Sequence, residues 1–436
     1  MDWRRTYADK LTTPEDAVRA VRNGDRVVIG MHYQTPLALC RALAARNGEL
    51  HCEIDNSIST FISWWPERVE NTFHVRTFFL QASDRPAMRA GLLDYVIAPP
   101  TRSDESYWLD RQPDVFLVSI SPPDDDGWCS FGMSVWGAPE VARAATHVIG
   151  EVNEHLIRTG GDNRIHISRF EALVEAPPAW KYLRRTPPTD EESETAAVIC
   201  SLVGAEIVQD GDTLQMGTGT VSAALAPFLS HRRELGVHSE LIFGGVPALV
   251  DAGVVTGARK TLHPGKVVGA SFGPLTAGEF AAVDGDARYE LYCMSHTNDI
   301  AVIAAHDNMV AVNNALLVDL TGQINGETLG TEIYSGTGGA LAFAVGALHA
   351  KGGRAVTVLP STSIVGGELR SRIVPMFPQG SAVTVPRVYA DIFVTEYGIA
   401  RLKGKTIRRR IDELIAIAHP DFRPELRADA RRLYGV

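Results

Sequence analysis

Five short stretches of this chain combine residue types that can do chemistry. In Val237-His-Ser-Glu-Leu-Ile-Phe-Gly-Gly, a charged Glu240 stands among apolar neighbours, with Gly244 and Gly245 close behind. A carboxylate at a strand end in a confined site is desolvated, which raises its pKa and its reactivity. The plainer alternative is a solvated surface glutamate. In Gln215-Met-Gly-Thr-Gly-Thr, Gly217 and Gly219 follow a predicted strand. Glycines there let a backbone approach a ligand and offer N–H groups to an anion, or they simply make a turn. The dinucleotide fingerprint is excluded, because Ser222 stands where that pattern needs Gly or Ala. Ser335-Gly-Thr-Gly-Gly runs into a predicted helix that reaches His349-Ala-Lys351. A glycine run at a helix N-terminus can hold phosphate or carboxylate. Lys351 then reads either as a phosphate contact or as an ordinary lysine at a helix C-terminus. Gly269-Ala-Ser-Phe-Gly matches the G-x-S-x-G of serine hydrolases, but Pro274 follows at once, so Ser271 reads as a strand or loop residue. Glu396, just after the apolar Ile392–Thr395, is a second candidate carboxylate, or part of a turn with a basic flank.

The elements that must position these residues alternate. Strands are predicted over Arg26–Gly30, Val115–Ile120, His147–Val152, Leu241–Phe243, Lys266–Ala270, Met309–Val312, Ala355–Leu359 and Ile392–Thr395. Helices are predicted over Pro14–Arg22, Thr35–Arg46, Thr189–Val203, Pro247–Ala252, Gly338–His349 and Ile407–Ile417. Such alternation predicts α/β layers with mostly parallel sheets. Between about 175 and 190 the chain carries four prolines, which suits a linker. Thr189-Asp-Glu-Glu then reads as a capping box that opens a new helix. The expected domains are 1–185 and 186–436. Residues Ala17–Gly30 echo Gly204–Gly217: each reads as helix, Asn/Asp-Gly-Asp turn, strand and glycine. Asp25 aligns with Asp212, 187 residues on, which points to a duplication.

Length and composition limit the function. At 436 residues, two domains are the prior. Hydrophobic residues at 45% and charged residues at 22% exclude disorder, and a net charge of −10 argues against nucleic acid. The five cysteines, Cys40, Cys52, Cys129, Cys200 and Cys293, form no C-x-x-C pair, which predicts neither zinc nor a disulfide frame and fits a reducing cytoplasm. The 13 histidines show no H-E-x-x-H spacing, so no metal is expected. The N-terminal Met1–Lys10 is too polar for a signal peptide, and no apolar run reaches 18 residues, so no membrane partner is expected.

Taken together and in order, these stretches resemble the acetyl-CoA hydrolase/transferase family, which includes 4-hydroxybutyrate and butyrate–acetate CoA-transferases. The likeness covers nearly the whole chain. It rests on Ser119-Ile-Ser-Pro-Pro-Asp-Asp-Asp-Gly-Trp-Cys-Ser-Phe-Gly, Val148-Ile-Gly-Glu-Val-Asn, Leu214-Gln-Met-Gly-Thr-Gly, Leu235-Gly-Val-His-Ser-Glu, His263-Pro-Gly-Lys, Ser335-Gly-Thr-Gly-Gly, Leu359-Pro-Ser-Thr, Arg372-Ile-Val-Pro and Val394-Thr-Glu-Tyr-Gly-Ile-Ala. The resemblance implies two similar open, mostly parallel α/β domains with the active site at their interface. It implies a homodimer, and coenzyme A bound as an acyl-CoA substrate. It makes Glu240 the covalent nucleophile, with Glu396 in a signature but not at the nucleophile's place. It assigns Gln215, Met216, Gly217, Thr218 and Gly219 to a CoA-binding and oxyanion-side loop. Ser335 and Gly339 fall in a glycine-rich CoA loop, and Lys351 at a basic position near the CoA.

The implied chemistry is covalent and ping-pong: CoA moves from an acyl-CoA to a carboxylic acid through a glutamyl-CoA thioester. Discharge of the acyl group to water or to another acceptor on the same fold, and a non-catalytic CoA-binding protein, remain as alternatives. The chain departs from the family pattern at Leu241–Gly245, at Ala342 where Asp is usual, at Ser222 where proline is usual, and over Glu290–Asp299. Acyl specificity is therefore open, with Phe243, Met294 and His296 as candidate pocket residues.

Overall fold

The computed structural model describes residues 3–65, 70–98, 112–175, 189–273 and 276–436. The chain divides into two compact units: Met1–Arg184 with Ala270–Phe272 and Thr276–His296, and Arg185–Gly269 with Gly273–Leu275 and Thr297–Val436. The division is therefore not two consecutive segments, because residues 276–296 group with the first unit. The expected linker falls, from 176 to 188, outside the described residues.

In the first unit seven strands form one sheet: β1 (Arg26–Ile29), β2 (Cys52–Asp55), β3 (Phe73–Thr77), β4 (Leu93–Tyr95), β5 (Val115–Ile120), β6 (His147–Val152) and β7 (Ala172–Glu175). Their order is β7-β6-β5-β1-β2-β3-β4, and every pair is parallel. In the second unit the strands are β8 (Thr213–Met216), β9 (Gly236–Ile242), β10 (Met309–Asn314), β11 (Arg354–Val358), β12 (Ile392–Thr395) and β13 (Gly398–Arg401). Their order is β13-β12-β11-β10-β8-β9, with Val267–Gly269 beyond β9. The pairs β8–β9, β8–β10, β10–β11 and β11–β12 are parallel, and β12–β13 is an antiparallel hairpin. Central strands such as β5 and β8 are buried along their whole length, as expected when both faces of a parallel sheet are covered.

The strand and helix expectations hold closely where apolar runs were long. Polar residues hid the rest. The strand placed at Leu241–Phe243 begins five residues earlier, at Gly236, because His238, Ser239 and Glu240 are polar yet lie inside it. The helix placed at Pro14–Arg22 is one turn, Pro14–Ala17, followed by a 3₁₀ turn to Ala20. The capping box forms as read: the Thr189 side chain accepts from Glu192 N at 3.2 Å, and Glu192 Oε2 accepts from Thr189 N at 2.9 Å.

The internal echo reappears in three dimensions. Gly24 and Gly211 both take positive φ, +83° and +81°. Asp25 and Asp212 each accept from the backbone N–H three residues earlier, at 2.8 and 2.6 Å. β1 pairs with β2 on one side and β5 on the other, and β8 with β9 on one side and β10 on the other, so in each sheet the strand order reverses at its first strand. Register carries the match further. Arg26 pairs Glu53 as Thr213 pairs Gly236. Gly30 thus corresponds to Gly217, and Ser57 corresponds to Glu240. The fold is a duplicated, doubly wound α/β unit. In the second unit, helices Ile407–Ala416 and Arg423–Tyr434 cover the β12 side of the sheet through Ile411, Leu414, Ile415 and Leu426 around Phe393. Each such buried side chain contributes roughly 1.5–3 kcal/mol.

Candidate active site

Glu240 lies near the carboxyl end of β9, the sheet edge where open α/β folds bind ligands. Leu214 pairs with Val237, so three residues on, Gly217 falls level with Glu240 on the neighbouring strand. Glu240 is half-buried, but its carboxylate meets specific donors. Asn298 Nδ2 donates to Oε2 at 2.7 Å. The backbone N–H of Gly339 donates as well. Gly339 is the N-cap of the helix Ala340–His349, so the carboxylate sits at the positive end of a ten-residue helix.

The Asn298 amide is held in one orientation. Its Oδ1 accepts from Thr297 Oγ1 at 3.0 Å, which leaves Nδ2 for Glu240. The peptide oxygen of Thr297 accepts from His238 Nε2 at 2.9 Å, which fixes the proton of that ring on Nε2. His238, Thr297 and Asn298 are all fully buried. Burial pushes the Glu240 carboxyl above its ordinary range, while the donors Asn298 and Gly339 pull it back. The group is thus both more basic than a free glutamate and equipped to exist as an anion. That is what a nucleophilic carboxylate needs.

The first glycine turn is braced from β10 by Asn313 and Asn314, which were not singled out in the sequence. Gln215 and Asn313 exchange two hydrogen bonds, Nε2 to Oδ1 and Nδ2 to Oε1, both 3.0 Å. Gln215 and Met216 are buried, so the turn presents backbone and the exposed Thr218 instead. Ser222 Oγ donates to Gly217 O at 2.7 Å, and Asn314 Nδ2 donates to Ser222 Oγ. A Cβ on Gly219 would lie 2.1 Å from Asn314 Cγ, so glycine is required there. A Cβ on Gly339 would lie 2.2 Å from Glu240 Oε2. Gly339 therefore permits the close approach of helix and carboxylate. Ser335 N donates to Glu327 O at 3.1 Å, at the start of the same loop.

Structure brings Gly217, Gly339 and Glu240 together and leaves Lys351 apart. Lys351 follows the far end of the helix that Gly339 opens, about 15 Å along its axis. It is exposed, pairs with Asp307 at 3.3 Å, and lies at the amino end of β10. Glu396 is held by the backbone N–H and hydroxyl of Ser361. Ser271 lies inside the strand Val267–Phe272, fully buried and 2.6 Å from Ser134 Oγ, not at an exposed elbow. Phe243 and Met294 are buried core residues, and the His296 ring lies against Tyr292, centroids 4.8 Å apart and tilted by 48°. Asn298 was missed because it follows no apolar pattern, and its partner lies 58 residues away. Among the described residues no group of three His, Cys, Asp or Glu could hold a metal, and no helix is long and apolar enough to cross a membrane.

Residues 1–180 match the acetyl-CoA hydrolase/transferase N-terminal domain, and residues 279–430 match the acetyl-CoA hydrolase/transferase C-terminal domain. A 4-hydroxybutyrate coenzyme A transferase of Clostridium kluyveri is 37% identical over 440 residues, covering the whole of both chains. A succinyl-CoA:cyclohexane-1-carboxylate CoA transferase of Geobacter metallireducens is 33% identical, over all of this chain and 98% of its own. The crystal structure of RipA from Yersinia pestis matches with a TM-score of 0.90 at 32% identity, over the whole of both chains.

Proposed function

The chain belongs to the acetyl-CoA hydrolase/transferase family and is an acyl-CoA:carboxylate CoA-transferase; we propose that it works through a covalent thioester on Glu240. The observation that carries this reading is the carboxylate of Glu240, raised in pKa by burial yet met by Asn298 and Gly339 at a helix N-terminus.

The steps balance without an external energy source. The Glu240 carboxylate attacks the thioester carbonyl, and the tetrahedral oxyanion collapses with loss of the CoA thiolate. This leaves an acyl-glutamyl anhydride. The thiolate attacks the glutamyl carbonyl, expels the acyl group as a carboxylate, and forms glutamyl-CoA. An acceptor carboxylate then attacks that thioester, and the same steps run in reverse to give the new acyl-CoA and free Glu240. Each oxyanion requires fixed N–H donors. The Gly217–Gly219 turn and Gly339 lie beside Glu240 and are suited to that role. In this reading Gln215–Gly219 and Ser335–Gly339 receive the thioester end of CoA. We place the enzyme in a reducing cytoplasm, on the strength of five buried cysteines that form no disulfide among the described residues, and expect a homodimer.

The test is to follow acyl-CoA with and without a carboxylic acid. A transferase consumes acyl-CoA only when an acceptor is present and gives parallel double-reciprocal lines. Rapid loss of acyl-CoA with no acceptor would instead identify a hydrolase.

A further inference from the structure

The duplication compares one turn in two settings. After β1, Thr35 Oγ1 lies 3.1 Å from Gly30 O and 2.8 Å from His32 O, so its one proton is shared between the two carbonyls. After β8, Ser222 Oγ donates to Gly217 O at 2.7 Å. In both units the hydroxyl lies five residues beyond the glycine that ends the strand. Neither glycine tolerates a side chain: a Cβ would meet Gln34 O at 2.5 Å or Asn313 Oδ1 at 2.8 Å. Only the second turn stands level with a glutamate; its counterpart faces Ser57, which accepts from Phe78 N and Thr77 Oγ1. Both latches are backed by an N–H donor of a different kind: the Thr60 backbone N–H donates to Thr35 Oγ1 at 3.2 Å, whereas the Asn314 side chain donates to Ser222 Oγ and fills the place of a Gly219 side chain.

The latch has a directional consequence. In a trans peptide the C=O and the following N–H point in opposite directions. Drawing Gly217 O toward Ser222 therefore turns the Thr218 N–H the other way. We propose that Ser222 and Asn314 are positioning residues for CoA transfer: they fix the Gly217–Thr218 peptide so that its N–H faces the thioester carbonyl attacked by Glu240. This rests on the proposed role of Glu240. Thr35 reaches the matching carbonyl in the first unit but shares its proton with His32 O, and its turn stands level with no glutamate.

The test compares Ser222→Ala, Ser222→Thr, Asn314→Ala and Thr35→Ala in the full chain, reading kcat, KM for acyl-CoA and Tm. Wild type and Glu240→Gln are assayed first. If wild type fails to transfer CoA, or Glu240→Gln transfers normally, the reading of function falls and takes this inference with it. With that reading intact, Ser222→Ala is expected to lose about 10–100-fold in kcat, as for a donor moved out of line, with KM changed less than threefold. Ser222→Thr restores most of the rate, since threonine already makes this bond in the first unit. Thr35→Ala lowers Tm but keeps kcat. If Ser222→Ala does not fold, Asn314→Ala gives the reading, because it leaves the inner bond and removes only its backing; a loss of severalfold in kcat is expected. The proposal is overturned if Ser222→Ala and Thr35→Ala lower Tm alike and both keep wild-type kcat, or if Asn314→Ala keeps it where Ser222→Ala is unfolded.

Discussion

In the proposed mechanism, reactivity comes from one carboxylate held against its own preference. Burial drives Glu240 toward the neutral acid, while Asn298 and Gly339 favour the anion. The folded-state pKa lies above the unfolded value, so ionisation weakens the fold: the protonated form is favoured at low pH, and stability is lost as pH rises from the unfolded value of about 4.5 through the folded one. Glu240→Gln should therefore abolish transfer, by on the order of a thousandfold or more, while Tm at neutral pH stays level or rises. A fall of several degrees would show that the ionised carboxylate supports the fold instead. Asn298→Ala removes a donor to the anion and should move the acid limb of kcat/KM to higher pH. An unmoved limb would mean that Asn298 does not act on the ionised form in solution.

At the scale of the element, the helix Ala340–His349 must approach β9 closely enough for its first N–H to reach Glu240. Gly339 allows this because a side chain would overlap the carboxylate. Its φ of −81° is ordinary for alanine, so Gly339→Ala should fold with little change in Tm yet lose about a hundredfold in kcat. Retention of wild-type kcat would show that the carboxylate can shift without cost. Much of this was legible in the sequence. The glutamate and both glycine turns follow local patterns, but the strand that carries Glu240 starts five residues before the expected one, hidden by the polar His238, Ser239 and Glu240. The braces were not legible. Asn298, Asn313 and Asn314 act across gaps of 58, 98 and 92 residues, and nothing about their own neighbourhoods marks an asparagine as a brace. Lys351 stands apart from the carboxylate. A basic residue after a glycine-opened helix suggests a phosphate contact, but the helix carries it to the amino edge of the sheet, where Asp307 pairs with it.

At the scale of the whole molecule, the duplicated units have diverged in which strand end carries charge. The second unit keeps Glu240 beyond its first strand pair, and the first has Ser57 there. The first unit buries Glu151 instead, at the carboxyl end of β6. Its Oε2 accepts from Ala38 N at 2.8 Å and Leu39 N at 3.1 Å, at the start of the helix Leu37–Ala44. Burial pushes its pKa up to about 7 against the pull of those N–H groups. Below the unfolded value near 4.5 it is protonated in both states. As pH rises from there toward 7, the unfolded chain ionises first and stability falls by on the order of 3 kcal/mol. Thermal unfolding from pH 5 to 8 should thus show a decline in wild type that is visibly shallower in Glu151→Gln. Equal slopes would mean that Glu151 ionises alike in both states.

The most direct test of the central claim is to mix the enzyme with short-chain acyl-CoAs without acceptor, trap with borohydride and analyse the digest by mass spectrometry. A CoA adduct or reduced side chain at Glu240, absent from Glu240→Gln, is the predicted result. Turnover with an unmodified Glu240 peptide, or with the adduct on another residue, would contradict it.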